Sequence, residues 1–265
     1  MTAGLELPLL TIALLVAASF LAGWVDAVVG GGGLIQLPAL LIGLPADTPV
    51  STIAGTNKLP SFMGTSVAAR TYLRTIRVDW GLAWPLLVMA AIGSWSGAQL
   101  THFLPRQHFT PLVLFAVVGV GLYTWRKPQL GLHSAVRHTG NDARLRMAAI
   151  GLVVGLWDGF IGPGTGTFFV IALVSVIGHD FLASSALAKV ANLTTNAAAL
   201  VAFAITGNIL WGLGLSMGVA NLTGGYLGAR TALTRGNRFV RKVFLVVVGT
   251  LAIKLAWDTV QTYWA

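Results

Sequence analysis

Between Gly23 and Leu59 a long apolar run breaks at four consecutive glycines, Gly30 to Gly33, resumes for about ten apolar residues, and breaks again from Gly43 to Pro49. Few folds accept such a stretch. Glycines hold a helix poorly, each at a cost of about 1 kcal/mol relative to alanine. Ten helical residues cover only about 15 Å, half of the roughly 30 Å hydrocarbon core of a bilayer. A helix so short, with bare backbone ends, must sit in a cavity lined by protein or water rather than against lipid. A second stretch, from Gly155 to Leu193, repeats this design.

The surroundings are those of a membrane chain. Of 265 residues, 55% are hydrophobic and 9% are charged, with a mean hydropathy of +0.79, whereas a soluble domain carries about a quarter charged residues. Apolar runs near 20 residues recur along the length, which predicts an all-α, polytopic helical membrane protein. No Lys or Arg precedes Lys58, so the first helix lacks the basic start of a signal peptide and is expected to be retained. The absence of cysteine excludes disulfides, thiolate metal sites and cysteine nucleophiles. The formal charge of +9 does not point to nucleic acid, because the basic residues gather in short loops, where they act first as a topology signal.

The pattern predicts helices over 7–29, 34–43, 49–72, 79–103 and 109–125, then a basic linker over 126–146. Further helices are predicted over 147–161, 167–178, 181–206, 208–233 and 239–263. The two halves match. Asp26 and Asp158 are 132 apart, and from Lys58 and Lys189 onward the spacing is 131. That spacing also aligns Trp80-Gly81-Leu82 with Trp211-Gly212-Leu213, Gly93 with Gly224, and Gly97-Ala98 with Gly228-Ala229. The chain is therefore read as a transmembrane repeat over 1–125, the linker 126–146, and a second repeat over 147–265. Basic clusters at Arg70, Arg74 and Arg77, at Arg126 to Arg146, and at Arg230 to Lys242 are assigned to the cytoplasm, with both termini extracytoplasmic. Arg106 is the one exception. The broken, glycine-rich halves would then be two inverted repeats, as in many secondary transporters, with 34–43 counted as an incomplete crossing.

Three sets of residues carry chemistry. Gly31, Gly32 and Gly33 leave a helix start near Leu34 with free N–H groups and the positive end of a dipole, a cradle for an anion. Close helix packing is the alternative. The second half offers Gly164, Thr165 and Gly166 within Gly162-Pro163-Gly164-Thr165-Gly166-Thr167, adding two hydroxyl donors. Neither is a P-loop, since no strand precedes and no Gly-Lys-Ser/Thr follows. Lys58 and Lys189 lie inside apolar segments, where a lysine costs about 2.5–3.5 kcal/mol on insertion scales. Snorkelling is the alternative, but Lys58 is twelve residues from Arg70, about 18 Å of helix. The two are read as inward-facing cations that attract an anion. Thr56 and Asn57 beside Lys58, and Asn192, Thr194, Thr195 and Asn196 beyond Lys189, would add neutral donors.

Asp26 and Asp158 are proton-coupling candidates. They could equally pair with Lys189 and Lys58 when the site is empty, or cap the broken helices. Gln36 is a weaker candidate, and Trp24, Trp80, Trp157 and Trp211 read as interface anchors or packing. The five histidines fall in or near predicted loops and are expected to be solvated. Without a metal-ligand set or a Ser/His/Asp arrangement, no enzyme, metal or cofactor is expected.

At these residues the sequence resembles the TauE/SafE family, the sulfite exporter or toluene-sulfonate uptake permease family. The resemblance is carried by G-x-x-D-A-x-V-G-G-G-G-L-I-x-x-P at 23–38, G-T-N-K at 55–58 and V-D-W at 78–80. In the second half it is carried by G-x-x-x-G-x-I-G-P-G-T-G at 155–166 and A-K-x-x-N at 188–192. It implies a transporter of small sulfur-containing anions such as sulfite or organosulfonates. The second half replaces Gly31 with Pro163 and Gly33 with Thr165, so the half-sites are not equivalent.

The leading expectation is alternating-access export of such an anion across the inner membrane, coupled to protons. An uncoupled anion channel, a permease for a non-sulfur organic anion, and a membrane anchor for a partner enzyme are the alternatives. The expected partners are a small anionic substrate and membrane lipid, with no nucleic acid; a homodimer is left open.

Overall fold

The computed structural model describes residues 7–45, 47–103, 126, 134–135 and 137–264. Its first half contains α1 (Leu9–Val29), α2 (Gly33–Gly43), α3 (Val50–Leu73) and α4 (Trp80–Leu100), which ends in a 3₁₀ turn at Thr101–Phe103. Its second half contains α5 (Gly140–Phe160), α6 (Thr165–Ala172, extended by a π turn at Leu173–Ile177), α7 (Phe181–Ile205) and α8 (Trp211–Trp264). The described residues include no strand. Helices α1, α4 and α7 are each long and apolar enough to cross a membrane.

The helix ends follow local chemistry. Pro8 and Pro49 precede α1 and α3, and prolines suit a helix start because their missing N–H would be unpaired there anyway. Asp79 and Asp180 cap α4 and α7, accepting from the N–H groups of Gly81 and Ala183 at 2.9 Å each. Gly30 ends α1 at φ 85°, a left-handed conformation that glycine adopts without a Cβ penalty. Gly236, at φ 75° and ψ −175°, breaks α8 into the two helical arms predicted there.

The short segment predicted over 34–43 is the returning arm of a hairpin. A Cβ placed on Gly32 would meet Ala22 and Asp26, and one on Gly43 would meet Leu15, so α2 runs back along α1. The second half does the same: the N–H groups of Ala135 and Arg137 donate to Gly178 and Ile177, bringing the end of the π turn back beside the start of α5. The segment predicted as a loop to residue 146 is helical from Gly140, where an exposed Asp142–Arg146 ion pair spans one turn. The predicted helix over 109–125 and residues 127–133 lie outside the described residues. His179, expected to be solvated, is half-buried between α6 and α7, and burial pushes its imidazole below the ordinary value.

Glycine sets the packing. Lipid tails supply no hydrophobic drive between helices, so small residues that let backbones approach decide which helices pair. Helix α4 lies on α5: Cβ atoms added at Gly93 and Gly97 would stand 2.4 and 2.2 Å from the carbonyls of Leu152 and Leu156. Helix α1 lies on α8 in the matching way, with Gly224 and Gly228 at 2.0 and 2.4 Å from the carbonyls of Phe20 and Trp24. All four contacts obey the 131 and 132 spacings. Tyr72, Leu86, Met147, Phe169, Phe181 and Phe244 fill one buried core, while Leu10, Trp84, Val153 and Val219 stand exposed on the outside, as lipid-facing side chains do.

Replacing Gly97 by Val is expected to lower thermal stability in detergent by about 1–3 kcal/mol or more, because backbone occupies the space of the new side chain. Gly212, in the first turn of α8 with nothing within 4 Å of its would-be Cβ, is the control: Gly212→Ala should be neutral or slightly stabilising.

Candidate functional site

Two buried lysines and two aspartates meet where the broken helices end, and they pair across the halves. Lys58 of α3 reaches Asp158 of α5, Nζ to Oδ2 at 2.7 Å, and also donates to the Asp158 carbonyl at 2.9 Å. Lys189 of α7 reaches Asp26 of α1, Nζ to Oδ2 at 2.9 Å, and donates to the Asp26 carbonyl as well. Each ammonium therefore neutralises a carboxylate and caps the last turn of the other half's broken helix, the negative end of its dipole. Of the roles open to Asp26 and Asp158 from sequence, pairing with Lys189 and Lys58 is the one present.

The pairs are not equal. The Lys58 and Asp158 side chains are 4% and 3% exposed, while Lys189 is fully buried and Asp26 is 16% exposed. The Ser94 hydroxyl lies 3.2 Å from Asp158 Oδ2 and 2.8 Å from the Thr195 carbonyl. At the 131 spacing Ser94 becomes Gly225, whose added Cβ would stand 2.7 Å from the Gly64 carbonyl. Asp26 thus lacks the counterpart of Ser94, and backbone fills the space where that side chain would stand. Ser94 carries no motif, and only its register with Gly225 marks it in the sequence.

The two glycine breaks abut one another. The Thr167 N–H donates to the Gly30 carbonyl and its hydroxyl to the Val29 carbonyl, both at 3.1 Å. A Cβ on Gly30 would stand 2.1 Å from the Gly166 backbone. Leu34, expected to offer a free N–H, instead donates to Gly31 at 3.1 Å. The N–H groups left without a described partner are those of Gly31, Gly32 and Gly33 in one break and of Gly164 and Gly166 in the other. Both threonine hydroxyls read as free donors are spent: Thr165 donates to the Gly162 carbonyl at 2.6 Å, and Thr167 to Val29.

A small cavity, partly open to the outside, lies at this junction. Asp26, Asp158, Lys58, Asn57, Asn192, Gly33, Gly164, Thr165 and Gly166 stand on its wall, as do Gly30, Gly162, Asn196 and Ser61. Ser61 went unread in the sequence, although the 131 spacing pairs it with Asn192. Several predicted residues are elsewhere, among them Thr194 and Thr195, whose hydroxyls donate to the Val190 and Asn192 carbonyls at 3.0 Å each. Lys189 is buried behind Asp26. Thr56 turns away, its hydroxyl accepting from the Leu210 N–H at 3.0 Å. Gly31 and Gly32 are off the wall, Gly32 being packed on Ala22 and Asp26.

Two neighbours set the position of the wall. Gln36 Nε2 donates to the Asn57 carbonyl at 3.3 Å, while Asn221 Nδ2 and the Ser19 hydroxyl donate to Gln36 Oε1 at 2.7 and 3.3 Å. This buried amide network fastens α2 to α1, α3 and α8. Trp157 Nε1 donates to the Pro163 carbonyl at 3.0 Å and meets Phe168 edge-on, bracing the second break.

A helical chain with apolar spans, two broken hairpins and a charged cavity between them has the build of a membrane transporter. The family model for the sulfite exporter TauE/SafE matches residues 15–255, and the chain belongs to that family. A "Probable membrane transporter protein ORF9" of Sinorhizobium sp. is 33% identical over 93% of each chain. A "Probable membrane transporter protein" of Haemophilus influenzae is 33% identical over 93% of this chain and 95% of its own. The Escherichia coli K12 protein YfcA, named in the same words, is 32% identical over 94% and 91%. No solved structure matches the chain.

Truncating one member of a buried ion pair strands the other charge, at a cost of about 3–5 kcal/mol. Lys189→Ala should therefore be strongly destabilised in a thermal unfolding assay. The double variant Asp26→Asn with Lys189→Gln, which removes both charges, should recover much of that loss.

Proposed function

We propose that the chain exports small sulfur-containing anions, sulfite or organosulfonates, across the inner membrane by alternating access coupled to protons. The observation that carries this reading is the crossed quartet at the cavity, with Lys58, Asp26 and Asp158 on the wall and Lys189 behind it. With all four groups ionised the charges cancel. An anion entering alone would bring an uncompensated charge into a low-dielectric space, which is costly. A proton taken by Asp26 or Asp158 frees its lysine, and the lysine then holds the anion while the net charge stays at zero. The free N–H groups of Gly33, Gly164 and Gly166, with Asn57, Ser61, Asn192 and Asn196, complete the donor set.

The sulfur class and the outward direction rest on the family's description as sulfite exporters. The matching glycine contacts and the crossed pairs support two inverted repeats, 1–125 and 147–265, joined by the linker 126–146. The basic clusters support a cytoplasmic linker and extracytoplasmic termini.

Reconstitution into liposomes tests the reading. Lys58→Ala and Lys189→Ala should each lower sulfite or sulfonate flux by about tenfold or more, and full activity in both would remove the site assignment. In Asp26→Asn or Asp158→Asn, the pH change that accompanies each unit of anion flux should fall. Flux that neither saturates nor shows counterflow would identify an uncoupled channel instead.

A further inference from the structure

Asn57 is the one side chain on the cavity wall with a buried polar atom that nothing satisfies. The residue is 5% exposed, and its Oδ1 has neither a hydrogen-bond partner nor contact with solvent. No described residue bonds its Nδ2 either. Buried polar side-chain atoms are nearly always paired, so an exception needs a reason. The backbone offers no escape, because the Asn57 carbonyl is held by Gln36 Nε2 at 3.3 Å. Nor does holding the lysine explain the carboxamide. At the 131 spacing Asn57 becomes Ala188, and Lys189 beside it makes the same kind of crossed pair without one.

The wall around Asn57 is rich in donors. The N–H groups of Gly33, Gly164 and Gly166 are free to donate beside the Lys58 ammonium, while one oxygen each of Asp158 and Asp26 is held by Lys58 and Lys189. A carboxamide brings two donor hydrogens and an acceptor oxygen, and a half-turn about Cβ–Cγ presents either to the cavity. A fully ionised oxyanion, which only accepts, satisfies the amide and leaves the oxygen unmet. A singly charged anion with a hydroxyl of its own satisfies both.

We infer that Asn57 is a specificity residue selecting a monoanion that carries a hydrogen-bond donor, either a protonated oxyanion or a hydroxyl-bearing sulfonate. The inference rests on reading the cavity as the anion site.

The test uses the purified full chain and two pairs of anions matched in charge: ethanesulfonate with 2-hydroxyethanesulfonate, and acetate with glycolate. Dissociation constants come from calorimetry. In the unaltered protein the hydroxyl-bearing member of a pair should bind about tenfold tighter, the order expected of one hydrogen bond. That ratio should fall toward one in Asn57→Ala, whatever the absolute affinities, and be partly kept in Asn57→Ser, which retains a donor and an acceptor. Equal binding of both members by the unaltered protein overturns the role of Asn57 and leaves the transporter reading standing. A ratio that Asn57→Ala does not change does the same. Failure of all four anions to bind overturns the anion reading and this inference with it.

Discussion

The structure depends on the exchange of charges between its halves. A lysine buried among apolar helices is tolerated only when an opposite charge and further acceptors meet it, and here the carboxylate and the carbonyl both come from the other half. The exchange ties α3 to the end of α5 and α7 to the end of α1. Sliding one half past the other would expose four charges, so the junction holds its register. The same exchange balances the four charges at the cavity, two ammonium groups against two carboxylates.

Close backbone approach makes the exchange geometrically possible. Glycines at 93, 97, 224 and 228 bring α4 onto α5 and α1 onto α8, and the touching glycines at 30 and 166 bring the two breaks together. The hairpins are nevertheless held by different means. Three residues into α2, Gln36 is fastened by Ser19 and Asn221; three residues into α6 stands Phe168, packed on Trp157. The first hairpin is held by an amide network, the second by the Trp157 hydrogen bond to the Pro163 carbonyl together with the edge contact to Phe168.

Much of the helix plan was legible because apolar runs, prolines, capping aspartates and glycines act locally. The α1 and α2 boundaries, the α7 start at Phe181 and the break at Gly236 fall within a few residues of their predicted places. The start of α5 was missed because exposed charges read as a loop, although an i,i+4 ion pair favours a helix there. The site was legible in its ionisable residues and less so in its donors. Thr165 and Thr167 look like free hydroxyls in sequence, yet a threonine hydroxyl readily finds a nearby carbonyl, and both have done so. Ser61 and Ser94 carry no motif, and only the register with Asn192 and Gly225 singles them out.

The sequence by itself determined a helical membrane chain with two glycine-broken stretches, two lysines and two aspartates at matching places, since each of these follows from composition, spacing and local backbone preference. Tertiary structure alone decided that Lys58 pairs with Asp158 and Lys189 with Asp26, that Lys189 lies behind the wall while Ser61 lines it, and which N–H groups stay free. Those outcomes depend on which backbones approach closely in three dimensions, and partners separated by 100 and 163 residues leave no local trace of that approach.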